Sequence, residues 1–271
     1  MQYDTPKPDA RITANLADLT ADPETVERAN ALLDQFSALT VYQHGTSNPH
    51  LALLARTPTL ELRKVLEFLC IWYSFSRRTP QILLYCAASY FNQADRKLIM
   101  VNYAEEDGVG DGMDPHYDLL EALIEKMGGK LALNPIAEML IKRFMAKIST
   151  GMSEAYATGV VAGFEHPALD ITNILMSVIE KADGGSFQHL LEEDFYLRVH
   201  VAVEPDHIVW AHGNCLAFMA RGEQEKAEVI RGFRDVMEFW TCFWNLAMGV
   251  VFDDAGMRAQ ARGFLASEAV A

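Results

Sequence analysis

The sequence lacks several features that define common classes of protein. Its four cysteines are far apart and form no CxxC pair, which argues against a zinc ribbon or a disulfide scaffold. Basic residues are few, because 23 lysines and arginines stand against 37 aspartates and glutamates, a net charge of −14. A basic face that binds nucleic acid or an anionic membrane is therefore not expected. We expect small molecules or other proteins as partners, and homodimer formation is left open.

Long apolar runs are also missing. The longest, FLCIWYSF and ILLYCAASYF, are shorter than the roughly 20 residues that a membrane-spanning helix needs. The first residues, MQYDTPKPDARIT, contain no apolar signal core. The sequence therefore predicts a protein that stays in the cytoplasm, where reducing conditions suit unpaired cysteines.

Alternating strand patterns are scarce, and apolar residues return at three and four positions as in amphipathic helices. This pattern predicts one all-α domain of seven or more helices over 23–271, after a polar arm over 1–22. Asn134-Pro135 is typical of a helix start, and Gly128-Gly129 is typical of a helix end. The predicted helices cover approximately 23–38, 58–76, 80–94, 94–107, 116–128, 135–150, 152–182, 188–221 and 223–251.

The segment HVAVEPDH places polar residues inside a largely apolar helix. On a helical wheel His200, Glu204 and His207 fall within about 60° of one another, so three potential metal ligands share one face. A bound cation is one of the few arrangements that offsets the cost of a buried carboxylate. A solvated polar face would explain the same residues. Pro205, which removes one backbone hydrogen bond, predicts a kink in this helix.

Two further segments carry isolated candidates for metal ligation. Glu165 follows a run of small residues that would let a helix or a ligand come close, and Glu154 is its rival because it lies nearly on the same helix face. Glu106 ends an apolar helix, and His116 opens the next helix after a glycine-rich turn. Taken alone, each segment could equally carry ordinary charged residues on the protein surface and no metal ligand.

Together the three segments supply carboxylates and imidazoles, the nitrogen and oxygen ligands that suit two iron or manganese ions held between facing helices. The order and spacing of EDGVGDGMDPH, Glu165 and HVAVEPDH over about 60–215 resemble the haem-oxygenase-like diiron oxidases and oxygenases. The resemblance implies a haem-oxygenase-type helical bundle and two irons without haem. The ligands that it implies are Glu106, His116, Glu165, His200, Glu204 and His207.

The resemblance also implies a reaction class. Members of this family activate O₂ to N-oxygenate amines or amino acids, to cleave amino acids oxidatively, or to decarboxylate fatty acids. For this chain it implies oxidation of a small organic substrate in specialised-metabolite biosynthesis, with ferrous iron as cofactor and an electron donor as partner. Two departures stand out, because many members have aspartate at the position of Glu204 and Pro205 is not part of their pattern.

Two other functions fit the sequence less well. A metal-free helical binding protein, or a hydrolase of the same fold, would use Cys215 as nucleophile and His212 or His207 as base. A haem-degrading enzyme would need a proximal histidine on an early helix, where His44 and His50 lie in a polar segment predicted to be irregular. Aromatic residues could line a substrate pocket or simply form the core; they are Tyr73, Phe75, Tyr103, Phe164, Trp210 and Trp240.

Overall fold

A computed structural model describes Ala31, Phe36, 49–109 and 114–266 of the chain. The described residues contain no β-strand, only one isolated bridge between Leu60 and Ala182, so the predicted all-α fold is confirmed. The predicted polar arm over 1–22 and the helix over 23–38 fall largely outside these residues. The helices are α1 Pro49–Arg56, α2 Leu62–Ser76, α3 Thr79–Ala88, α4 Gln93–Glu106, α5 His116–Lys126, α6 Pro135–Ile148, α7 Glu154–Glu165, α8 Ala168–Glu180, α9 Leu190–Glu193, α10 Phe195–Met219, α11 Glu223–Val251 and α12 Ala255–Ala266.

The helix starts follow simple capping chemistry. Asn134 accepts hydrogen bonds from the backbone N–H groups of Ile136 and Ala137, and Pro135 occupies the first turn of α6, as the sequence predicts. At the start of α10, the buried carboxylate of Asp194 accepts from the N–H of Tyr196. This cap fixes where α10, the helix that contains HVAVEPDH, begins.

Three sequence predictions were wrong in detail. The single helix over 152–182 is two helices, α7 and α8, since Pro167 lies between them and cannot continue the hydrogen-bond pattern. The segment predicted to be irregular around His50 contains helix α1. Helix α9 is separate from α10, because the chain is extended at Asp194. Helix α10 itself is continuous through Pro205.

Helix α7 packs very closely on α11, which brings its C-terminal end into the core. A Cβ added at Gly159 would overlap the backbone carbonyl of Val229, and one added at Gly232 would overlap the carbonyl of Tyr156. Trp240 of α11 also donates its indole N–H to the carbonyl oxygen of Gly163 at 3.2 Å. The small residues of α7 therefore serve helix contact, one of the two roles that the sequence left open.

Aromatic residues from α2, α7 and α11 form much of the core. Phe75, Phe164 and Trp240 pack against one another with ring centroids 4.8–5.7 Å apart. Three of the aromatic residues that could have lined a pocket are thus core residues. Within the described part of the chain, no helix combines the length and apolar character needed to cross a membrane.

Replacement of Gly159 by alanine tests the α7–α11 contact. We expect Gly159→Ala to lower the free energy of unfolding by at least the 1–3 kcal/mol that is typical of overpacking, because the clash is with backbone that cannot rotate away. Chemical denaturation of both proteins measures the difference.

Gly263→Ala is the matched control, since an added Cβ on α12 meets nothing within 4 Å. Alanine is the better helix former, so this variant should be neutral or more stable by up to about 1 kcal/mol. Equal effects of the two substitutions would contradict the close packing of α7 on α11.

Candidate metal centre

Four helices contribute the six predicted ligands. Glu106 is the last residue of α4, His116 is the first of α5, and Glu165 is the last of α7. Helix α10 carries the other three, His200, Glu204 and His207. Helix ends and one long helix thus meet in the interior, although the six residues are spread over a hundred positions of the sequence.

The six side chains form two groups of three. Glu106, His116 and His200, here called the first site, offer one ligand atom each, and these atoms lie within 4.8 Å of one another. Glu165, Glu204 and His207, the second site, satisfy the same criterion. The HxxxExxH motif is therefore divided between the sites: His200 belongs to the first, and Glu204 and His207 belong to the second.

In the first site the nitrogens are arranged for ligation. The Nδ1 atom of His200 lies 2.7 Å from the carbonyl oxygen of Tyr196, so it must donate a proton there, which leaves Nε2 as the lone-pair nitrogen. His116 is buried, and its Nδ1 atom lies 3.3 Å from Oε1 of Glu106 without forming a hydrogen bond to any described residue. A buried nitrogen without a hydrogen bond is costly unless another group, such as a cation, occupies its lone pair.

Charge coupling within the first site is strong. Burial would raise the pKa of Glu106, but the neighbouring histidines, His116 foremost, outweigh it and hold the pKa at about 2. Burial lowers the pKa of His200 to about 4, with a further contribution from His116, so His200 is neutral at pH 7. Glu106 and His200 are therefore in the protonation states that metal binding requires, whereas Glu106 outweighs burial and raises the pKa of His116, whose proton a metal would displace.

The second site is arranged around His207. Its Nε2 atom lies 2.8 Å from Oε2 of Glu105 and donates a proton to that carboxylate. Its Nδ1 atom faces the other two members, 3.7 Å from Oε2 of Glu165 and 3.8 Å from Oε2 of Glu204. A cation at Nδ1 would therefore find two carboxylates beside it and an imidazole already oriented by a third.

The carboxylates of the second site are strained electrostatically. Burial raises the pKa of Glu165, and burial together with the charge of Glu165 raises the pKa of Glu204 further. Although burial opposes it, the hydrogen bond that His207 donates to Glu105 and the charges of Glu165 and Glu204 raise the pKa of His207 to about 10. Without a cation the two carboxyl groups hold their protons to a higher pH than exposed glutamates do, because burial and mutual repulsion both disfavour the charged form.

Helix α4 supplies two further contacts that the sequence analysis missed. Asn102 donates its side-chain N–H to Oε1 of Glu165 at 2.7 Å, and Glu105 accepts from His207. Adjacent residues on a helix point about 100° apart, so Glu105 and Glu106 reach different sites. The glutamate pair at the end of α4 was visible in the sequence, but only the packing of α4 beside α10 shows that both members are used.

Several other candidates lie outside the two sites. Glu154 accepts hydrogen bonds from the backbone N–H groups of Phe91 and Asn92, which removes it as the rival of Glu165. The ring nitrogens of His166 and His212 lie 3.0 Å apart and bond to each other. Cys215 is fully buried, and burial raises the pKa of its thiol, which disfavours the thiolate that a hydrolase would need.

The early histidines give no support to haem ligation. His50 bonds through Nε2 to Oδ2 of Asp254 at 3.1 Å, and His44 lies outside the described residues. The ring of His50 packs edge-on against Phe252. His50 is therefore occupied by contacts between α1 and the α11–α12 turn.

The charge of the combined sites fits two divalent cations. Four carboxylates converge here, those of Glu105, Glu106, Glu165 and Glu204, and in the described part of the chain no lysine or arginine forms a salt bridge with them. Two divalent cations would balance four negative charges. A mixed set of imidazole and carboxylate ligands suits iron and manganese. Metal ions that prefer thiolate ligands, or oxygen ligands alone, fit this set less well.

Comparison with known proteins agrees with this donor set. Residues 66–241 match the family described as iron-containing redox enzymes, and the match covers more than half of the chain. The chain therefore belongs to the iron-containing redox enzyme family. No curated protein matches the sequence.

Solved structures show the same fold. A CADD-like protein of unknown function from Nostoc punctiforme, solved at 2.00 Å resolution, superposes with a TM-score of 0.67 at 16% identity, covering 82% of this chain and 98% of that one. A second structure of that protein, at 1.35 Å, gives a TM-score of 0.59 at 15% identity, covering 84% and 97%. The haem-oxygenase-like fold implied by the sequence resemblance is confirmed.

Substitution of Glu204 separates metal binding from protein stability. We expect metal-free Glu204→Gln to be at least as stable as the parent chain, because the amide is neutral, like the protonated carboxyl group that burial and Glu165 favour at this position. A metal at about a hundred times its Kd should add about 2.7 kcal/mol per site to the parent, and the variant should lose one such contribution. Chemical denaturation with and without Fe²⁺ under argon measures both effects.

The matched control is Glu180→Gln, which changes an exposed glutamate at the end of α8. This control should keep the full stabilisation by metal. If Glu204→Gln is stabilised by Fe²⁺ as much as the control is, Glu204 is not a ligand.

Proposed function

We propose that the chain is a non-haem diiron oxidase or oxygenase that uses O₂ to oxidise a small organic substrate. The observation that carries this proposal is the pair of adjacent sites, each of which brings carboxylate and imidazole ligand atoms within 4.8 Å of one another. Membership of the iron-containing redox enzyme family supports iron as the metal. The six residues of the two sites are the proposed ligands.

The two sites are close enough to act as one centre. The charge of His207, in the second site, lowers the pKa of Glu106 in the first, and the charge of Glu106 raises the pKa of Glu165 in the second. Two irons held there would supply the redox chemistry that activates O₂. Helix α10 contributes to both sites, with His200 in the first and Glu204 and His207 in the second.

The protein itself contributes orientation and exclusion of water. The Tyr196 carbonyl and the Glu105 carboxylate each hold one ring nitrogen of a ligand histidine, which fixes the nitrogen that faces the metal. Asn102 holds one oxygen of Glu165 and leaves the other for the metal. Burial of His116, Glu165 and Glu204 keeps bulk water from these positions.

The substrate class follows from the family resemblance rather than from a pocket. We propose N-oxygenation of an amine or amino acid, or oxidative cleavage of a C–C or C–N bond, ahead of decarboxylation of a fatty acid. A role in specialised-metabolite biosynthesis, a cytoplasmic location and an electron-donor partner belong to the same proposal. The buried, hydrogen-bonded Cys215 offers no support for the metal-free hydrolase.

Anaerobic titration of the metal-free protein with Fe²⁺ tests the proposal. We expect two irons per chain, followed by a transient visible absorption when O₂ is admitted. Binding of less than one iron per chain, or the absence of any absorption change after O₂, would contradict the diiron function.

Single substitutions test the placement of the ligands. His200→Ala and Glu165→Ala should each abolish binding of at least one iron, because each removes a ligand from a different site. Circular dichroism should show nearly unchanged helical content. His189→Ala is the control, since His189 is exposed and lies outside both sites, and it should retain both irons. Full stoichiometry in both test variants would show that the sites lie elsewhere.

A further inference from the structure

Three of the four tryptophans form one stacked group in the core. The ring centroids of Trp72 and Trp240 are 5.9 Å apart with an interplanar angle of 12°. Trp244 lies 6.1 Å from each of them, at 25° and 29°. We call Trp72, Trp240 and Trp244 the tryptophan cluster. Indole is the most easily oxidised aromatic side chain after phenolate. A radical cation formed on one of three indoles in contact can therefore be delocalised over the group.

Tyr196 joins the tryptophan cluster to the first site. Trp72 donates its indole N–H to the hydroxyl oxygen of Tyr196 at 2.7 Å. The ring of Tyr196 packs on the ring of His200, with centroids 4.4 Å apart. The two residues are four positions apart on α10, which places one above the other on the same face. A continuous path of contacts therefore leads from a proposed ligand through a phenol to an indole.

The surroundings of the tryptophan cluster favour a radical that stays within it. Trp72 is 6% exposed, Trp240 is 1% exposed and Trp244 is completely buried. Described rings that contact the cluster include Phe68, Phe75 and Phe243, and phenylalanine is much harder to oxidise than indole. An indole cation in this position would face the π-systems of its two neighbours, an arrangement that stabilises positive charge. The burial suits storage of an oxidising equivalent better than exchange with a soluble donor.

We propose that the tryptophan cluster is an internal one-electron donor to the metal centre, with Tyr196 as the bridge. This inference rests on the proposed function. The oxidant is O₂ at the loaded centre, since two ferrous ions supply fewer electrons than complete reduction of O₂ requires. One electron leaves Trp72 and passes through Tyr196 and His200 to the centre, which is reduced by one electron. No bond breaks and no proton moves: the indole radical cation keeps its N–H and its hydrogen bond to Tyr196.

Rapid-freeze electron paramagnetic resonance tests this donor. The protein is loaded anaerobically with Fe²⁺, its iron content is measured, and it is mixed with O₂ without substrate and frozen at increasing times. We expect an organic radical whose hyperfine structure changes in protein containing ring-deuterated tryptophan and not in protein containing ring-deuterated tyrosine. Repeated cycles of iron and O₂ should leave oxygenated tryptophan in peptides containing Trp72, Trp240 or Trp244, detected by mass spectrometry.

Variants locate the radical. Trp72→Phe should lose the tryptophan signal, and Tyr196→Phe, which keeps the ring but removes the hydroxyl, should lower its yield at unchanged iron content. Trp210→Phe is the matched control, because Trp210 is the fourth tryptophan and is also buried; it should keep the signal. If a variant does not fold, isotope labelling of the unmodified chain still identifies the radical as tryptophan, and the oxygenated peptides show which tryptophan carried it.

The outcomes separate this inference from the proposed function. If two irons bind and O₂ is consumed, but no tryptophan radical forms or the signal survives in Trp72→Phe, the internal donor is excluded and the diiron function stands. If the unmodified chain binds less than one iron, the proposed function fails and the internal donor fails with it.

Discussion

The architecture depends on one electrostatic constraint: four carboxylates meet three imidazoles inside a helical core. Transfer of ionised carboxylates from water to such an interior costs several kcal/mol each unless opposite charge accompanies them. The histidines compensate only in part, because His200 is neutral and the pKa values of Glu165 and Glu204 remain raised by burial. Two cations would remove the remaining cost, so the same residues that strain the metal-free protein would stabilise the loaded one.

Helix packing brings the groups that create this constraint together. The glycines of α7 and α11 bring the two backbones close together, which carries the end of α7, and hence Glu165, into the interior. Pro167 follows the end of α7 and lies two residues after Glu165. Helix α4 then closes the centre from the other side, with Glu106 at the first site and Glu105 and Asn102 serving the second.

Local sequence patterns were sufficient to predict that the candidate residues carried by a single helix lie together. Because His200, Glu204 and His207 share one face of α10, their convergence follows from the period of the helix. Glu106 and His116 could also be predicted from the sequence, since they end and begin consecutive helices. Glu165 could be selected over Glu154 only through the family resemblance, because eleven residues on a helix return to the same face. Long-range packing decided between them.

The prediction failed where distant segments determine the role of a residue. Nothing local distinguishes Glu105 from a solvated helix end, and its bond to His207 depends on how α4 lies beside α10. The division of HxxxExxH between two sites is likewise a property of the assembled bundle. Capping chemistry, by contrast, is local, and the start of α6 at Asn134-Pro135 was predicted correctly.

Anomalous X-ray diffraction at the iron edge, on crystals of the chain loaded anaerobically with Fe²⁺, tests the central claim most directly. The account predicts two iron peaks, one bounded by Glu106, His116 and His200 and the other by Glu165, Glu204 and His207. A single peak, or peaks placed elsewhere, as at the bonded pair His166 and His212, would contradict it.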